Sequence, residues 1–106
     1  MSSLGRVVYR RFCSMMNHQV LHKEGLFYIP LEKGQAVLEY TLKDGIIDMY
    51  HTGVPSFYRG QGIAKILVQD AMKYVEAEKL TVKPTCSYVL KYVNENPNPN
   101  IKVCEL

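Results

Sequence analysis

The sequence lacks the features that mark membrane-spanning and nucleic-acid-binding chains. No apolar run approaches the roughly 20 residues that a membrane-spanning helix needs. The formal net charge is only +3, and the excess comes from Arg6, Arg10 and Arg11, close to the start of the chain. The rest of the chain is neutral on balance, which argues against a nucleic-acid-binding face. We therefore expect neither nucleic acid nor a membrane as a partner.

Cysteine is scarce as well. The chain has three cysteines, Cys13, Cys86 and Cys104, whose spacing matches no pattern of metal ligands. We accordingly predict no metal site. An odd number of cysteines without an apolar secretory segment is typical of a protein from a reducing, intracellular compartment.

Acidic residues are absent from residues 1–16. Wound as a helix, this segment gathers Leu4, Val8 and Phe12 on one side and arginines on the other, as a mitochondrial presequence does. The alternative is a loose extension with a chance composition. Either interpretation leaves residues 17–106 as a single folded domain, and the location is cytoplasmic, nuclear or mitochondrial.

Apolar periodicity predicts a strand-rich first half and a helical second half. Ala36, Leu38 and Tyr40 alternate with polar neighbours as in a half-buried strand, whereas Ile63 and Leu67 begin a stripe at helical spacing. The predicted strands cover residues 18–23, 26–31, 35–42, 46–54 and 81–85, the predicted helices cover 62–78 and 87–95, and 101–106 is a tail with room for another short strand. A helix between the fourth and fifth strands implies that these two strands are parallel and open a crevice at their ends.

A glycine-rich segment joins the fourth strand to the first helix. Its sequence is Arg59-Gly60-Gln61-Gly62-Ile63-Ala64. The first N–H groups of a helix have no internal partner, and the helix dipole adds positive potential there. Gly60 and Gly62 leave those groups accessible to a phosphate, and Arg59 adds a charged donor. Plain turn chemistry is the alternative, since the spacing fits neither a dinucleotide loop nor a Walker loop.

The pattern Arg59-x-x-Gly62-x-Ala64 resembles the acyl-CoA pyrophosphate loop of the GCN5-related N-acetyltransferases. Val54-Pro55 before it and Leu67 after it fit the same family. The chain is similar to the small one-domain branch of that family, the YjdJ-type or N-acetyltransferase domain-containing proteins, through Thr85-Cys86-Ser87-Tyr88-Val89, Tyr92 and Asn96-Pro97. The resemblance covers residues 19–97. It implies a minimal α+β fold with a mixed sheet: an antiparallel meander, a helix crossover to a parallel fifth strand, and a C-terminal helix.

The resemblance also implies a cofactor, acetyl-CoA or coenzyme A, and the residues that hold it. The backbone N–H of Val54 would meet the developing oxyanion. Tyr88 and Tyr92, one helical turn apart, would line the CoA arm or protonate the leaving thiolate; the alternative is that both are core tyrosines with tethered hydroxyls. The pyrophosphate would lie on the backbone of Arg59, Gly60, Gln61, Gly62, Ile63 and Ala64.

Cys86 and His51 are the candidate catalytic residues. Each lies near the end of one of two neighbouring predicted strands, so we expect them to face one crevice. A thiol beside a histidine can become a thiolate, which is a good acyl acceptor. This predicts an acyl-cysteine relay with His51 as the base. The alternatives are a small buried Cys86 and a structural His51, and most members of the resembled family transfer directly.

The predicted function is acetyl-CoA-dependent acetylation of a small-molecule or peptide amine. The chain lacks the strand–helix–helix segment that closes over the acceptor in the broader family, so we expect an acceptor side that is open or completed by another subunit. A non-catalytic module that binds CoA is the alternative, and a structural protein whose glycine loop is only a turn is the third interpretation.

Overall fold

The computed structural model describes residues 19–104; the predicted extension over residues 1–16 lies outside them. The described part begins with four consecutive strands, has one 3₁₀ turn at Ser56–Tyr58, and then continues with two helices and two short strands. Its elements are β1 (Leu21–Lys23), β2 (Leu26–Leu31), β3 (Gly34–Lys43), β4 (Ile46–Gly53), α1 (Ile63–Glu78), β5 (Thr81–Lys83), α2 (Ser87–Glu95) and β6 (Lys102–Val103). Neither helix in this part of the chain is long and apolar enough to cross a membrane.

The strands form one mixed sheet in the order of the sequence, from β1 to β6. The first four strands are antiparallel neighbours. β5 lies parallel to β4 and β6 parallel to β5, and a helix makes each of these two connections. The predicted α+β fold, with its meander and its helix crossover to a parallel fifth strand, is confirmed.

The hairpin between β3 and β4 shows how local chemistry sets the register. Asp44 and Gly45 both have positive φ, at 52° and 79°, which is the requirement of a two-residue type I′ turn. This turn pairs Lys43 with Ile46 directly. The alternation that follows sends Ile47 into the core and leaves Ile46 outside it.

The core lies on one face of the sheet, under both helices. Ala36, Leu38 and Tyr40 are buried on β3, while the residues between them are half-buried. Both helices contribute side chains to the same apolar cluster, among them Leu67 of α1 and Val89 of α2. Full burial of one such side chain contributes about 1.5–3 kcal/mol. We call the sheet face away from the helices the open face.

A crevice forms where β4 and β5 separate. Their parallel pairing ends at Asp48 and Lys83, whereas β4 continues to Gly53. An irregularity in the β3–β4 pairing inserts Tyr50 as an extra residue on β4 and bends the strand there. The end of β4 therefore has β3 on one side and the crevice on the other.

Several predicted boundaries differ from the observed ones by a few residues. The first strand begins at Leu21, not at residue 18. The fifth ends at Lys83, not at residue 85, since Pro84 has no N–H and the Thr85 N–H donates to the Lys83 carbonyl at 3.0 Å. The fourth strand ends at Gly53, one residue early. The first helix begins one residue late because Gly62 is left-handed.

Candidate functional site

The segment before α1 is a tight loop whose shape depends on two glycines. Gly60 and Gly62 have φ values of 83° and 77°, in the left-handed region that other residues seldom adopt. A Cβ built on either glycine would have no heavy atom of residues 19–104 within 4 Å. The glycines are therefore required by the backbone conformation, and the space in front of them is open.

The start of α1 carries positive potential that no side chain of residues 19–104 caps. The Gly62 carbonyl accepts the first helical hydrogen bond, from the Ile66 N–H at 3.2 Å. Within the described part of the chain, no side chain hydrogen-bonds to the start of the helix, and its first turn holds no acidic residue. The N–H groups of Ile63, Ala64 and Lys65 therefore point beyond the helix start. This arrangement suits an anion such as a phosphate.

Arg59 borders this loop. Its side chain is exposed, and its Nε donates to the Val54 carbonyl at 3.3 Å. This bond ties the loop to the chain that leaves β4, while the remaining guanidinium donors stay available. The Lys33 N–H also donates to the Tyr58 hydroxyl, at 3.1 Å, so the preceding 3₁₀ turn is anchored to the β2–β3 turn.

Val54 lies directly after β4 and packs against the core. It lies at the end of the strand, between the loop and the crevice, and the role of its backbone N–H as a donor stays a prediction. Pro55 follows and supplies no N–H.

Cys86 occupies the N-cap position of α2 at the crevice. Its N–H donates to the Met49 carbonyl at 2.9 Å, and its sulfur lies 3.5 Å from the Thr52 hydroxyl. Burial raises the pKa of the thiol. Hydrogen bonding with the Thr52 hydroxyl, together with the backbone at the start of α2 and at Thr52, lowers this pKa by more, so it lies below its ordinary value. No close capping bond forms from the side chain, so the α2 amides act on the sulfur mainly as partial positive charges.

The structure does not bring His51 and Cys86 together. Thr52 is the cross-strand partner of Leu38 and shares its core face. His51 is the partner of Glu39 and therefore points to the open face. Its ring lies over Gly53, with Nε2 3.1 Å from the position of a Cβ there. The two predicted catalytic residues thus lie on opposite sides of β4.

Tyr88 and Tyr92 are half-buried on α2 and pack against the core. Burial, and then the charges of Glu95 and Tyr92, raise the pKa of Tyr88, so this phenol stays protonated at neutral pH. Tyr92 lies farther from the crevice, where it lines an apolar groove of about 440 Å³ together with Met72 of α1. The position of Tyr88 fits a role near the crevice better than that of Tyr92.

Thr52 is the site residue that the sequence did not reveal. It follows His51 directly, and strict alternation from the buried Met49 would place His51 on the core face and Thr52 on the open face. The signal was hidden because the extra residue Tyr50 shifts that alternation by one position. Among residues 19–104, no three His, Cys, Asp or Glu side chains gather closely enough to hold one metal ion.

Comparison with known proteins gives relatives in both sequence and structure. Protein NATD1 of Gallus gallus is 52% identical over 54 residues, which cover 51% of this chain and 49% of that protein. Protein NATD1 of Danio rerio is 44% identical over 68 residues, or 64% of this chain and 61% of that protein. The chain thus spans about half the length of most of the curated relatives that it matches.

A solution structure of a GCN5-like protein from Staphylococcus aureus shares the fold. It superposes with a TM-score of 0.67 and covers 85% of this chain and 91% of its own, at 22% identity. The sequence profile described as GCN5-related N-acetyl-transferase matches residues 26–101, from the second strand to the tail. By this match, which includes the loop, α1 and Cys86, the chain belongs to the GCN5-related N-acetyltransferases.

Proposed function

We propose that this protein is an acetyl-CoA-dependent N-acetyltransferase that acts on an amine. The observation that carries the proposal is the uncapped start of α1, which follows two left-handed glycines and stands beside Arg59. A pyrophosphate would accept hydrogen bonds from the backbone N–H groups of residues 60–64 and a charge-assisted bond from Arg59. Family membership supports the same cofactor.

The crevice would hold the reacting end of the cofactor. Bound acetyl-CoA supplies an acetyl thioester. The Val54 N–H would donate to the carbonyl oxygen of that thioester, where negative charge grows as the amine attacks. Tyr88, whose phenol keeps its proton at neutral pH, would donate to the departing sulfur. The attacking nitrogen would lose one proton to solvent as the amide forms, and Tyr88 would regain a proton from solvent, so that the products are the amide and free coenzyme A. The side chains of Thr52 and Cys86 lie beside this path.

An acyl-cysteine step at Cys86 stays a prediction, but the side chain beside the thiol differs from the expected one. Thr52 rather than His51 is the side chain in contact with the thiol. The lowered pKa of Cys86 favours a thiolate, which could accept the acetyl group. Direct transfer to the amine is the simpler route, since it needs no base beside the sulfur.

A CoA-binding module without turnover is the second candidate. One observation favours it: the residue that contacts Cys86 is a threonine, and the histidine proposed as its base faces the other side of β4. The two candidates share the loop and differ only in chemistry.

The first test is coenzyme A affinity, measured by calorimetry. We expect the Arg59→Gln variant to bind coenzyme A more weakly, whereas Lys43→Gln, which removes an exposed positive charge at the far end of β3, should bind as the unaltered protein does. Equal affinities in all three proteins would mean that Arg59 and its loop do not contribute to coenzyme A binding. The second test is transfer of radiolabelled acetyl groups to a mixture of primary amines. Binding without any transfer would support the CoA-binding module.

Intact mass after incubation with acetyl-CoA then separates the two routes of transfer. An acetyl adduct on the unaltered protein that is absent from Cys86→Ser and is discharged by amine supports the cysteine step. Equal turnover in both proteins supports direct transfer.

A further inference from the structure

The open face carries a row of apolar side chains that leads to the end of β4. Leu21, Tyr28, Val37 and Gly53 are successive cross-strand partners, so they share one face. The three side chains are half-buried. Three strand spacings, about 14 Å, separate Leu21 from Gly53. We call Leu21, Tyr28 and Val37 the apolar row.

A polar group stands at the inner end of the apolar row. The Tyr50 hydroxyl donates to the Glu39 carboxylate at 3.3 Å, and Glu39 is the cross-strand partner of His51. The His51 ring lies over Gly53, which leaves room for it because it has no side chain. Partial desolvation, and then Glu39 and Asp48, raise the pKa of Tyr50, so the phenol keeps its proton.

The two ends of the apolar row differ in charge, and this difference sets an orientation for a ligand. At the outer end, the Lys23 ammonium lies 5.2 Å from the centre of the Tyr28 ring. At the inner end stands the Glu39 carboxylate. A ligand with one positive charge would therefore place that charge at the inner end, next to the strand end that leads to Val54.

We propose that the open face binds the acceptor, and that this acceptor is a small primary amine bearing an apolar, aromatic group. The apolar row holds the aromatic group, and Glu39 with His51 holds the ammonium at the end of β4. The inference rests on the proposed function, because it assigns an acceptor to that transferase.

The geometry keeps this acceptor apart from the cofactor. The Thr52 and Cys86 side chains meet on the side of β4 that faces the core. The apolar row and His51 lie on the other side. An amine on the open face and a thioester in the crevice would thus approach the end of β4 from opposite sides without competing for space.

The test is a titration with 2-phenylethylamine followed by amide chemical shifts, on the full chain saturated with coenzyme A. We expect shifts at the apolar row and at His51. Ethylamine, which lacks the ring, and 2-phenylethanol, which lacks the ammonium, should each bind at least tenfold more weakly. Val37→Thr removes apolar surface with little change in shape, and it should weaken the binding of 2-phenylethylamine several-fold. Thr41→Ser, on the same face but outside the apolar row, should leave the affinity for 2-phenylethylamine unchanged.

A charge variant tests the inner end separately. Glu39→Gln should weaken the binding of 2-phenylethylamine and leave the binding of 2-phenylethanol unchanged. Asp44→Asn, in the distant β3–β4 turn, should change the affinity for neither compound. Equal losses for the amine and the alcohol would mean that Glu39 acts only through the fold, and would overturn its assigned role.

Two further outcomes would overturn the inference. The first is the absence of shifts on the open face while coenzyme A still binds, which would leave the proposed function intact. The second is a set of concentration-dependent shifts on the same residues without amine, which would assign this face to a second copy of the chain. Failure to bind coenzyme A would instead count against the proposed function, and titration of the unloaded protein would still test the open face.

Discussion

The Thr52 hydroxyl lies 3.5 Å from the Cys86 sulfur, across the gap between the end of β4 and the start of α2. This contact lies at the crevice that opens where β4 and β5 separate. It also contributes to the lowering of the thiol pKa below its ordinary value, since a hydroxyl and a helix start both favour the thiolate. A histidine is not needed for that effect.

Replacement of Thr52 by valine should make Cys86 less reactive. The change keeps the shape of the side chain and removes the hydroxyl, so the thiol pKa should rise and the thiolate fraction at pH 7 should fall. Loss of one hydrogen bond corresponds to a roughly threefold to tenfold slower alkylation. The measurement is the rate of iodoacetamide labelling at Cys86, resolved by peptide mass spectrometry as a function of pH.

Thr41→Val is the matched control for Thr52→Val. Thr41 is exposed on the open face of β3, so the same chemical change should leave the labelling rate of Cys86 unaltered. Cys104, a second half-buried free thiol among residues 19–104, serves as an internal reference in each protein. If Thr52→Val labels Cys86 as fast as the unaltered protein does, the helix start alone sets its reactivity.

His22 should make the stability of the fold depend on pH. Its ring stacks on Phe27 at 4.0 Å and its Nε2 shares a hydrogen bond with the Tyr40 hydroxyl at 2.6 Å. Burial lowers the pKa of His22, and the charge of Asp70 only partly opposes this effect. The folded protein therefore binds a proton less readily than the unfolded chain does. The free energy of unfolding should fall as pH drops through the unfolded value of 6.5 and level off below the folded pKa.

Urea unfolding between pH 5 and pH 8 measures this dependence. The His22→Phe variant should lose that part of the pH dependence, whereas the exposed His51→Phe variant should retain it. An imidazole resonance of His22 that titrates at or above 6.5 would contradict the assignment.

Glu76 should hold the last strand in place. Its two carboxylate oxygens accept hydrogen bonds from the side-chain amides of Asn98 and Asn100, at 3.3 and 3.2 Å. Glu76→Ala should therefore raise amide hydrogen exchange in residues 98–103 and leave exchange in β3 unchanged. Glu78→Ala, two positions along the same helix, is the control; similar exchange in both variants would show that apolar contacts alone hold the tail.

The sequence predicted the elements better than it predicted their side-chain directions. The spacing of apolar residues on β3 and α1 was enough to predict the order of the elements, the helix crossover and most of the core residues. Burial of one face sets the apolar period of a strand and of a helix, so these features can be read from the sequence. The relation between His51 and Cys86 was wrongly expected to be close. One extra residue, Tyr50, reverses which of the next two side chains faces the core, and no local pattern announces it. The open face escaped prediction for a similar reason, since Leu21, Tyr28 and Val37 come together only through strand register.

Gly62 and Gly45 form a matched pair that separates the role of a glycine in binding from its role in the backbone. Their φ values are 77° and 79°, and a Cβ on either would meet no heavy atom of the described residues within 4 Å. Alanine at either position should therefore cost a similar amount of stability, roughly 1 kcal/mol of left-handed strain, measured by urea unfolding. Only at Gly62 would the new methyl group stand at the start of α1, where it would keep a phosphate from the free N–H groups. Coenzyme A affinity should fall about tenfold in Gly62→Ala, the equivalent of one charge-assisted hydrogen bond, and stay unchanged in Gly45→Ala. Equal affinities in the two variants would mean that the loop glycines serve the turn alone, and that the start of α1 is not the phosphate site.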